Sequence, residues 1–252
     1  MYKYETHLHT AEASACASSI GKEYPQYYKD MGYSGIFVTD HFFNGHTCVA
    51  VNLTWEERVN EFCKGYEHAK EAGDRIGLSV YFGWEANFDG DEFLIYGLDK
   101  QWLLEHPDIL SWSRAKQYDM IHRAGGLVVQ AHPFRERNYL DAVRLNPDTC
   151  DAWEGYNAFN EPYQNHNTEI YCREHNIFMT AGSDIHKIGT LPAGGHYGME
   201  FDHPLNSSKD YVDAVLNRDG YMIVPKKHML SALPDCDSMK ISTRLPVYVN
   251  RR

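Results

Sequence analysis

The feature that most constrains the fold of this chain is a pair of histidines in its first strand-like segment. His7 and His9 lie in Tyr4-Glu5-Thr6-His7-Leu8-His9-Thr10. Because side chains alternate between the two faces of a strand, both histidines point the same way, with Cα atoms about 7 Å apart at a rise of ~3.3 Å per residue. Two imidazoles placed in this way can converge on one metal ion. The pair therefore predicts a metal site beside the first strand, provided that other ligands join it.

Further polar motifs occur at four places, each where a short apolar run ends. They are Thr39-Asp40-His41, Gly83-Trp84-Glu85, Ala131-His132-Pro133 and Gly182-Ser183-Asp184-Ile185-His186. The segments between the apolar runs have helical spacing or helix-capping residues. Short strands that alternate with helices predict an α/β fold with a mainly parallel sheet. In a barrel of this kind, the ends of several strands build the site together at one rim.

Composition limits the class of protein. The 252 residues suit one large domain, and we expect residues 1–252 to form it. No apolar run approaches the ~20 residues that span a bilayer, and the first residues lack the apolar core of a signal peptide. Six scattered cysteines without a CxxC pair indicate reduced thiols and predict a cytoplasmic protein. The oligomeric state is not indicated.

The charge of the chain bears on its partners. A net charge of -11, from 35 acidic and 24 basic residues, argues against a nucleic-acid or anionic-membrane surface. It does not exclude a phosphorylated substrate, because bound cations can reverse the local sign of the charge. We therefore expect a small-molecule substrate, with no membrane and no nucleic acid as partner.

The five motifs together resemble the PHP (polymerase and histidinol phosphatase) family, from about residue 4 to about residue 186. The resemblance implies a distorted (β/α)7 barrel of the TIM type with two or three metal ions at its C-terminal rim. It also implies metal-dependent hydrolysis of a phosphoester, with a metal-activated hydroxide as nucleophile. Histidinol phosphate, a nucleoside monophosphate and a cyclic or diester phosphate would all suit such a site; a phosphomonoester is the expectation. The segment Glu12-Ala13-Ser14-Ala15-Cys16 looks like a subgroup of standalone phosphoesterases of this family.

The resemblance also implies ligands for the first two metals. Four residues would hold the first: His7, His9, Glu85 and Asp184. Glu85 would bridge to a second metal, which His132 also binds. Many family members supply a further histidine there from the strand after the glutamate. This chain has Glu92 instead, which either substitutes as a ligand or leaves the second site open to water.

A third metal would be held by His41 and His186, with help from the loop that follows His9. Many family members have an aspartate or histidine in that loop, whereas here Glu12 is the nearby carboxylate. Glu12 is therefore expected to complete the third site. Asp40 is expected to orient a histidine rather than to bind metal. The direct roles in catalysis fall to Glu85, Asp184 and His186.

Two cationic residues next to the motifs are candidates for binding phosphate. Arg135 lies three residues beyond His132, and its planar guanidinium suits phosphate oxygens. Lys187 adjoins His186 and is a weaker candidate of the same kind. Arg137 could equally be an ordinary surface charge.

Mixed imidazole and carboxylate ligands suit Zn, Mn or Fe(II), and the sequence does not choose among them. It also leaves two other functions open. Amidohydrolase-type metal hydrolases likewise begin with HxH and end with a strand-end aspartate, although Thr39-Asp40-His41 fits them less well. A PHP-like domain retained only as a metal-binding module is the non-enzymatic alternative. Phosphate release, amide and lactone hydrolysis, and metal content would separate the three.

Overall fold

The computed structural model describes residues 1–192, 195–224 and 240–251. Within these ranges the strands are β1 (Tyr2–Leu8), β2 (Gly35–Val38), β3 (Ser79–Phe88), β4 (Asp91–Tyr96), β5 (Leu127–Gln130), β6 (Val143–Leu145), β7 (Ala152–Asn157), β8 (Phe178–Gly182), β9 (Gly198–Phe201), β10 (Tyr221–Val224) and β11 (Val247–Val249). The helices are α1 (Tyr24–Asp30), α2 (Trp55–Phe62), α3 (Lys64–Ile76), α4 (Lys100–Glu105), α5 (Arg114–Arg123), α6 (Pro162–His175) and α7 (Ser208–Asn217).

Seven strands form a nearly closed barrel in the order β1-β2-β3-β4-β5-β7-β8. The chain beyond β8 returns beside β1, where the Asp184 N–H donates to the His7 carbonyl at 2.7 Å and Leu8 pairs with Ile185. Strands β9 and β10 extend the sheet beyond β1 as antiparallel additions. The α/β fold with a distorted, TIM-like barrel that the sequence predicts is therefore confirmed.

The main distortion of the barrel is strand β4, which runs antiparallel to both β3 and β5. A two-residue turn of Asp89 and Gly90 joins β3 to β4, with φ of 55° and 93°. An Asp-Gly pair suits a tight hairpin because both central residues need positive φ. The remaining neighbours from β1 to β3 and from β5 to β8 are parallel.

Local signals fix the ends of the surrounding helices. Helix α2 begins after Thr54, which accepts the Glu57 N–H, while the Glu57 side chain accepts the Thr54 N–H. This reciprocal cap satisfies two amides that the first turn leaves free. Helix α3 ends at Ile76, and Gly77 caps it with a φ of 69°, a left-handed conformation that glycine adopts readily because it has no Cβ. Within the described ranges, each helix is too short or too polar to cross a lipid bilayer.

The apolar core leaves one end of the barrel for polar residues. Tyr4, Phe37 and Tyr96 pack with Tyr211 of α7 in one buried cluster. Tyr96 lies at the end of β4 remote from Glu92, so this cluster occupies the end of the barrel away from the strand-end motifs. Burial of each large side chain contributes ~1.5–3 kcal/mol. The opposite rim carries the buried histidines and carboxylates.

Candidate metal centre

The rim of the barrel brings together seven of the eight residues that the sequence suggests as metal ligands. They are His7, His9, His41, Glu85, His132, Asp184 and His186, which fall into overlapping groups with ligand atoms within 4.8 Å of one another. The side chains come from β1 and the residue just after it, from β3 and from the loops after β2, β5 and β8. All are buried except His186, which is partly exposed. The convergence arises because parallel strands end at the same edge.

Glu85 lies at the middle of this cluster. Its Oε1 is 3.2 Å from His132 Nε2 and 3.3 Å from His7 Nε2. Its Oε2 is 2.8 Å from His41 Nδ1 and 3.5 Å from His9 Nε2. The two oxygens of one carboxylate thus face different histidine pairs, which is the arrangement that a bridging ligand requires.

Asp184 faces the histidine pair of β1 from the other side. Its Oδ1 is 3.1 Å from His9 Nε2 and 3.4 Å from His7 Nε2. The two Nε2 atoms are themselves 3.0 Å apart. A cation shared by these atoms would account for the crowding of ring nitrogens and carboxylate oxygens in one small volume.

Three buried atoms of the cluster, His41 Nδ1, Glu85 Oε2 and Asp184 Oδ1, make no hydrogen bond of good geometry among the described residues, although the first two lie 2.8 Å apart and the third lies 3.1 Å from His9 Nε2. A buried polar atom left unpaired costs ~1–3 kcal/mol, and more when it is charged. A divalent cation among these imidazole and carboxylate donors would satisfy all three. The residues present therefore fit a metal site.

The electrostatics keep the carboxylates ionised. Burial raises the pKa of Glu85, but His7 and His41 lower it well below the usual glutamate value. Burial also raises the pKa of Asp184, and His7 and Arg135 lower it well below the usual range. Burial and the neighbouring rings of His41 and His186 hold the pKa of His9 well below normal, so His9 is neutral. Ionised carboxylates and a neutral imidazole are the forms that bind metal. Burial lowers the pKa of His7 and His41, but the neighbouring carboxylates raise it well above the usual value for His7 and to about 11 for His41, so a bound cation would have to displace protons from these two rings.

Two residues of the cluster have strained backbones. Asp184 has φ of 64° and His132 has φ of 29°, a region that residues with side chains rarely adopt. Such conformations cost ~1–3 kcal/mol each and persist where the surroundings impose them. Here hydrogen bonds impose them, because the Asp184 N–H donates to His7 and the His132 N–H donates to Glu154.

Glu154 is a site residue that the sequence analysis does not identify. Its Oε1 lies 2.9 Å from His7 Nδ1, and its Oε2 accepts the His132 N–H at 3.0 Å. One buried carboxylate thereby turns the His7 Nε2 toward the cluster and fixes the loop of His132. Gly182 makes room for it, because a Cβ there would lie 2.5 Å from His7 Cβ and 2.9 Å from Glu154 Oε1. The sequence feature that could have identified Glu154 is its position as a charged residue inside the apolar run of β7.

Glu154→Gln is expected to weaken metal binding by about 10- to 100-fold, the usual effect of removing a carboxylate that orients a ligating histidine. Glutamine keeps the shape and one acceptor but loses the charge that faces His7. Competition with a chromophoric chelator would measure the affinity. Glu169→Gln is the matched control, since Glu169 is also buried but pairs with Arg173 on α6. Equal affinities in both variants would refute an orienting role.

Asp40 reaches a histidine through an intermediate residue. Its Oδ1 accepts from Ser14 Oγ at 2.7 Å, and Ser14 Oγ lies 3.2 Å from His9 Nδ1. Thr10 also donates to Asp40 from its backbone and its hydroxyl. Asp40 thus fixes the loop that follows β1 and, through Ser14, the ring of His9.

Glu92 faces the cluster because of the hairpin. Asn87 lies two residues beyond Glu85 on β3, so the two share a face, and Asn87 pairs with Glu92 across the hairpin. Glu92 Oε2 lies 3.5 Å from His132 Nε2, and Oε1 lies 3.9 Å from His41 Nδ1. Of the two roles that the sequence left open for Glu92, the position suits a ligand.

Glu12 departs from the expectation. The structure does not bring it into the ligand groups of the described residues. Its two oxygens accept the Gly21 N–H at 2.9 and 3.1 Å, and Oε1 lies 2.9 Å from His68 Nδ1. This carboxylate therefore holds the loop against the turn that precedes α1 and against His68 of α3, and both of its oxygens are engaged outside the cluster. Cys16, in the same loop, lines one cavity together with His41 and His186.

A cavity of about 520 Å³ opens above the cluster, and Arg135 is part of its wall. The guanidinium donates to Asp184 Oδ2 at 2.6 Å, to Asn157 Oδ1 at 2.8 Å and to Asn160 Oδ1 at 2.7 Å. Arg135 thus lies where the sequence places it, beside the metal ligands. Lys187 is exposed and, among the described residues, does not belong to the wall of this cavity.

Comparisons with known proteins find similarity in structure. No protein-family model matches the sequence, and no curated protein matches it. A two-domain protein from Bacteroides vulgatus contains a predicted PHP-like metal-dependent phosphoesterase and superposes with a TM-score of 0.64 at 16% identity. The match covers 86% of this chain and 63% of that protein, so this chain spans less than two-thirds of its length.

Two further solved structures are similar over nearly their whole length. One, from Bifidobacterium adolescentis, is assigned by inference as a metal-dependent phosphoesterase, with a TM-score of 0.52, 17% identity and coverage of 86% of this chain and 96% of that one. The other is an amidohydrolase from Chromobacterium violaceum solved with bound sulfate and no metal, with a TM-score of 0.53, 12% identity and coverage of 84% and 96%. Identities this low establish the fold and leave the reaction to be argued from the residues. The chain therefore has the fold of solved proteins that are predicted to be PHP-like metal-dependent phosphoesterases, the resemblance that its strand-end motifs indicate.

Proposed function

We propose that this protein is a metal-dependent phosphoesterase that hydrolyses a small phosphorylated molecule, with a phosphomonoester as the expected substrate. The observation that carries the proposal is the position of three buried atoms without a hydrogen bond, on His41, Glu85 and Asp184, beside a largely buried arginine in the wall of a cavity. A set of metal ligands on its own is compatible with many classes of hydrolase. An adjacent guanidinium adds a binding group for an anionic substrate.

The ligands divide among two or three ions. His7, His9, Glu85 and Asp184 would hold the first. Glu85 would bridge to a second, which His132 and Glu92 would complete, since His132 Nε2 lies 3.2 Å from Glu85 Oε1 and 3.5 Å from Glu92 Oε2. His41 and His186 would belong to a third. Divalent cations held there would polarise phosphoryl oxygens and lower the pKa of bound water. Zn, Mn and Fe(II) all suit these donors.

The protein's own residues orient the substrate and the ligands. Arg135 would bind the phosphoryl oxygens that are not transferred. His186 is the most exposed member of the cluster and stacks on His9, and its Nδ1 lies 2.8 Å from the Asp184 carbonyl oxygen, which leaves Nε2 to hold the third ion. Glu154 and Asp40 hold His7 and His9 in place for the reaction.

The cavity suits a small substrate. Its volume of about 520 Å³ lies within the ~300–1,000 Å³ usual for small-molecule sites. Tyr139, 79% exposed, lines it together with Asn44 and His46. The single domain, the cytoplasmic location and the absence of a nucleic-acid partner stay predictions from the sequence.

The test is a panel of phosphomonoesters, phosphodiesters, amides and lactones, assayed with protein loaded with Mn, Zn or Fe(II). We expect two or three ions per chain by elemental analysis and release of inorganic phosphate from at least one phosphomonoester. A chelator should abolish the activity, and the metal should restore it. Amide or lactone hydrolysis without phosphate release would favour the amidohydrolase-type reaction. Metal content below one ion per chain would contradict the whole proposal.

A further inference from the structure

Three buried asparagines lie beside the metal cluster, next to the guanidinium of Arg135. Asn157 ends β7, Asn160 lies in the loop that follows, and Asn165 lies near the start of α6. Their side chains are hydrogen-bonded to Arg135 or to one another. A buried polar network whose members are satisfied in this way holds its side chains in one geometry.

Asn157 contacts two charged groups with one amide. Its Oδ1 accepts from Arg135 Nη2 at 2.8 Å, and its Nδ2 donates to Glu154 Oε2 at 2.9 Å. The orientation of the amide is unambiguous, because a guanidinium only donates and a carboxylate accepts. One side chain thus joins the arginine of the cavity wall to the carboxylate that orients His7.

A β-bulge brings Asn157 and Glu154 to the same side of β7. Side chains three residues apart in a regular strand point to opposite faces. The pairing of β7 with β8 shifts in register between Glu154 and Tyr156, where Gly155 is the extra residue. An extra residue of this kind re-aims the side chains that follow it, and such bulges are common next to functional sites.

Asn165 fixes the backbone of Asn157. Its Oδ1 accepts the Asn157 N–H at 3.1 Å, and its Nδ2 donates to the Asn157 carbonyl at 2.9 Å. The same Oδ1 accepts from Asn160 Nδ2 at 2.9 Å, and Asn160 Oδ1 accepts from Arg135 Nε at 2.7 Å. Two amide oxygens and the Asp184 carboxylate therefore hold the guanidinium, which leaves one N–H on each terminal nitrogen for a ligand in the cavity.

We propose that Asn157 is a positioning residue that holds Arg135 for anion binding and, at the same time, holds Glu154 for orientation of the metal ligands. The assignment rests on the proposed metal-dependent function and deepens it, because it names the side chain that couples the substrate-binding group to the metal centre. Asparagine suits the position, since one short side chain accepts from a guanidinium and donates to a carboxylate. An aspartate there would face Glu154 with a like charge.

The experiment measures two affinities without turnover. Inorganic phosphate is titrated by calorimetry into the full chain at saturating metal, and metal affinity is measured by competition with a chromophoric chelator. Asn157→Leu, which keeps the branched shape but loses both hydrogen bonds, should weaken phosphate binding by ~10-fold or more and metal binding by ~5-fold or more. Asn160→Leu should weaken phosphate binding alone, because its amide bonds to Arg135 and Asn165 and, among the described residues, makes no hydrogen bond to Glu154.

Double-mutant cycles separate positioning from a general loss of structure. In the Arg135→Ala background, Asn157→Leu should change phosphate affinity by less than about twofold, because the residue through which it acts is already gone. Metal affinity should respond in the same way to Asn157→Leu in the Glu154→Gln background. Asn167→Leu is the matched control, since Asn167 is also buried but bonds to the backbone of Ser242, and it should leave both affinities unchanged.

An unchanged affinity for either phosphate or metal in Asn157→Leu overturns the proposal, as does an equal loss of phosphate affinity with and without Arg135. A metal-loaded wild-type protein that binds no inorganic phosphate also overturns it. Circular dichroism checks the fold, and Asn157→Ser takes the place of Asn157→Leu in the same cycles if the leucine variant is unfolded. Failure of the phosphoesterase proposal looks different, because a protein that shows both couplings but hydrolyses no phosphoester keeps the assignment of Asn157 and rejects the reaction.

Discussion

Replacing Glu85 by glutamine should lower kcat/KM for phosphate release by ~10³-fold or more, which corresponds to ~4 kcal/mol at 1.36 kcal/mol per tenfold change. Its two oxygens face His7 and His132 on one side and His41 and His9 on the other. Glutamine keeps the size but removes the charge and replaces one oxygen with a donor, so it cannot bridge two cations. Metal-ion catalysis supplies several kcal/mol of charge stabilisation, which this variant should lose.

The Glu85 experiment needs a metal measurement beside the kinetic one. We expect Glu85→Gln to bind at least one ion fewer per chain by elemental analysis. Glu169→Gln, an isosteric change at another buried glutamate, should keep both the metal content and the rate, because Glu169 pairs with Arg173 outside the cluster. Full metal content and near wild-type activity in Glu85→Gln would show that this carboxylate is not the bridge.

The sequence predicts the barrel and the cluster well because their signals are short and local. His7 and His9 share a face by strand alternation, and Glu85, His132 and Asp184 each follow an apolar run. Parallel strands then bring these positions to one edge without further information. This is why the motifs could be assigned to one site before any distance was known.

The hairpin that reverses β4 explains why the role of Glu92 could not be decided from sequence. The regular alternation of strands and helices suggests parallel neighbours, whereas Asp89-Gly90 turns the chain back within two residues. Only the register across this turn, which pairs Asn87 with Glu92, shows that Glu92 faces the same side as Glu85. A one-residue shift in register would have turned Glu92 away.

Loop residues are the other part that the sequence could not place. Glu12 and Cys16 lie four residues apart in a segment without strand or helix periodicity, so spacing does not tell which of them lines the cavity beside His41. Residue type favoured the carboxylate. Tertiary contacts decide otherwise, because Gly21 and His68 engage Glu12 and leave the cavity wall to Cys16.

Arg135→Ala should lower kcat/KM by ~10-fold or more, because a hydrogen bond to a charged group contributes ~1.5–3 kcal/mol. Bonds to Asp184, Asn157 and Asn160 use three of the five guanidinium N–H donors. Two donors then remain for the oxygens of a phosphate in the cavity. Arg135→Lys should recover only part of the rate, because an ammonium lacks the planar fork. Steady-state kinetics on the best phosphomonoester would measure both variants.

Arg137→Ala is the matched control, since Arg137 donates to the backbone carbonyls of Glu136 and Phe159 and is not part of the cavity wall. Its kcat/KM should stay within about twofold of the wild type, as expected for a substitution away from the site. A rate in Arg135→Ala equal to that of Arg137→Ala would assign Arg135 a purely structural role. Metal content should be the same in all three variants, so that a change in rate reports substrate binding.

Arg135 has a second role that a thermal measurement can separate from the first. In the metal-free protein its guanidinium helps to hold the pKa of Asp184 well below the usual range, because it compensates a buried charge. Removing one partner of a buried ion pair costs ~3–5 kcal/mol when nothing replaces it. A metal ion beside Asp184 would replace it. Arg135→Ala should therefore lower Tm much more in the presence of a chelator than after metal loading. Equal losses of Tm in both states would mean that no cation takes over the compensation of Asp184, and Asp184 would then not be a metal ligand.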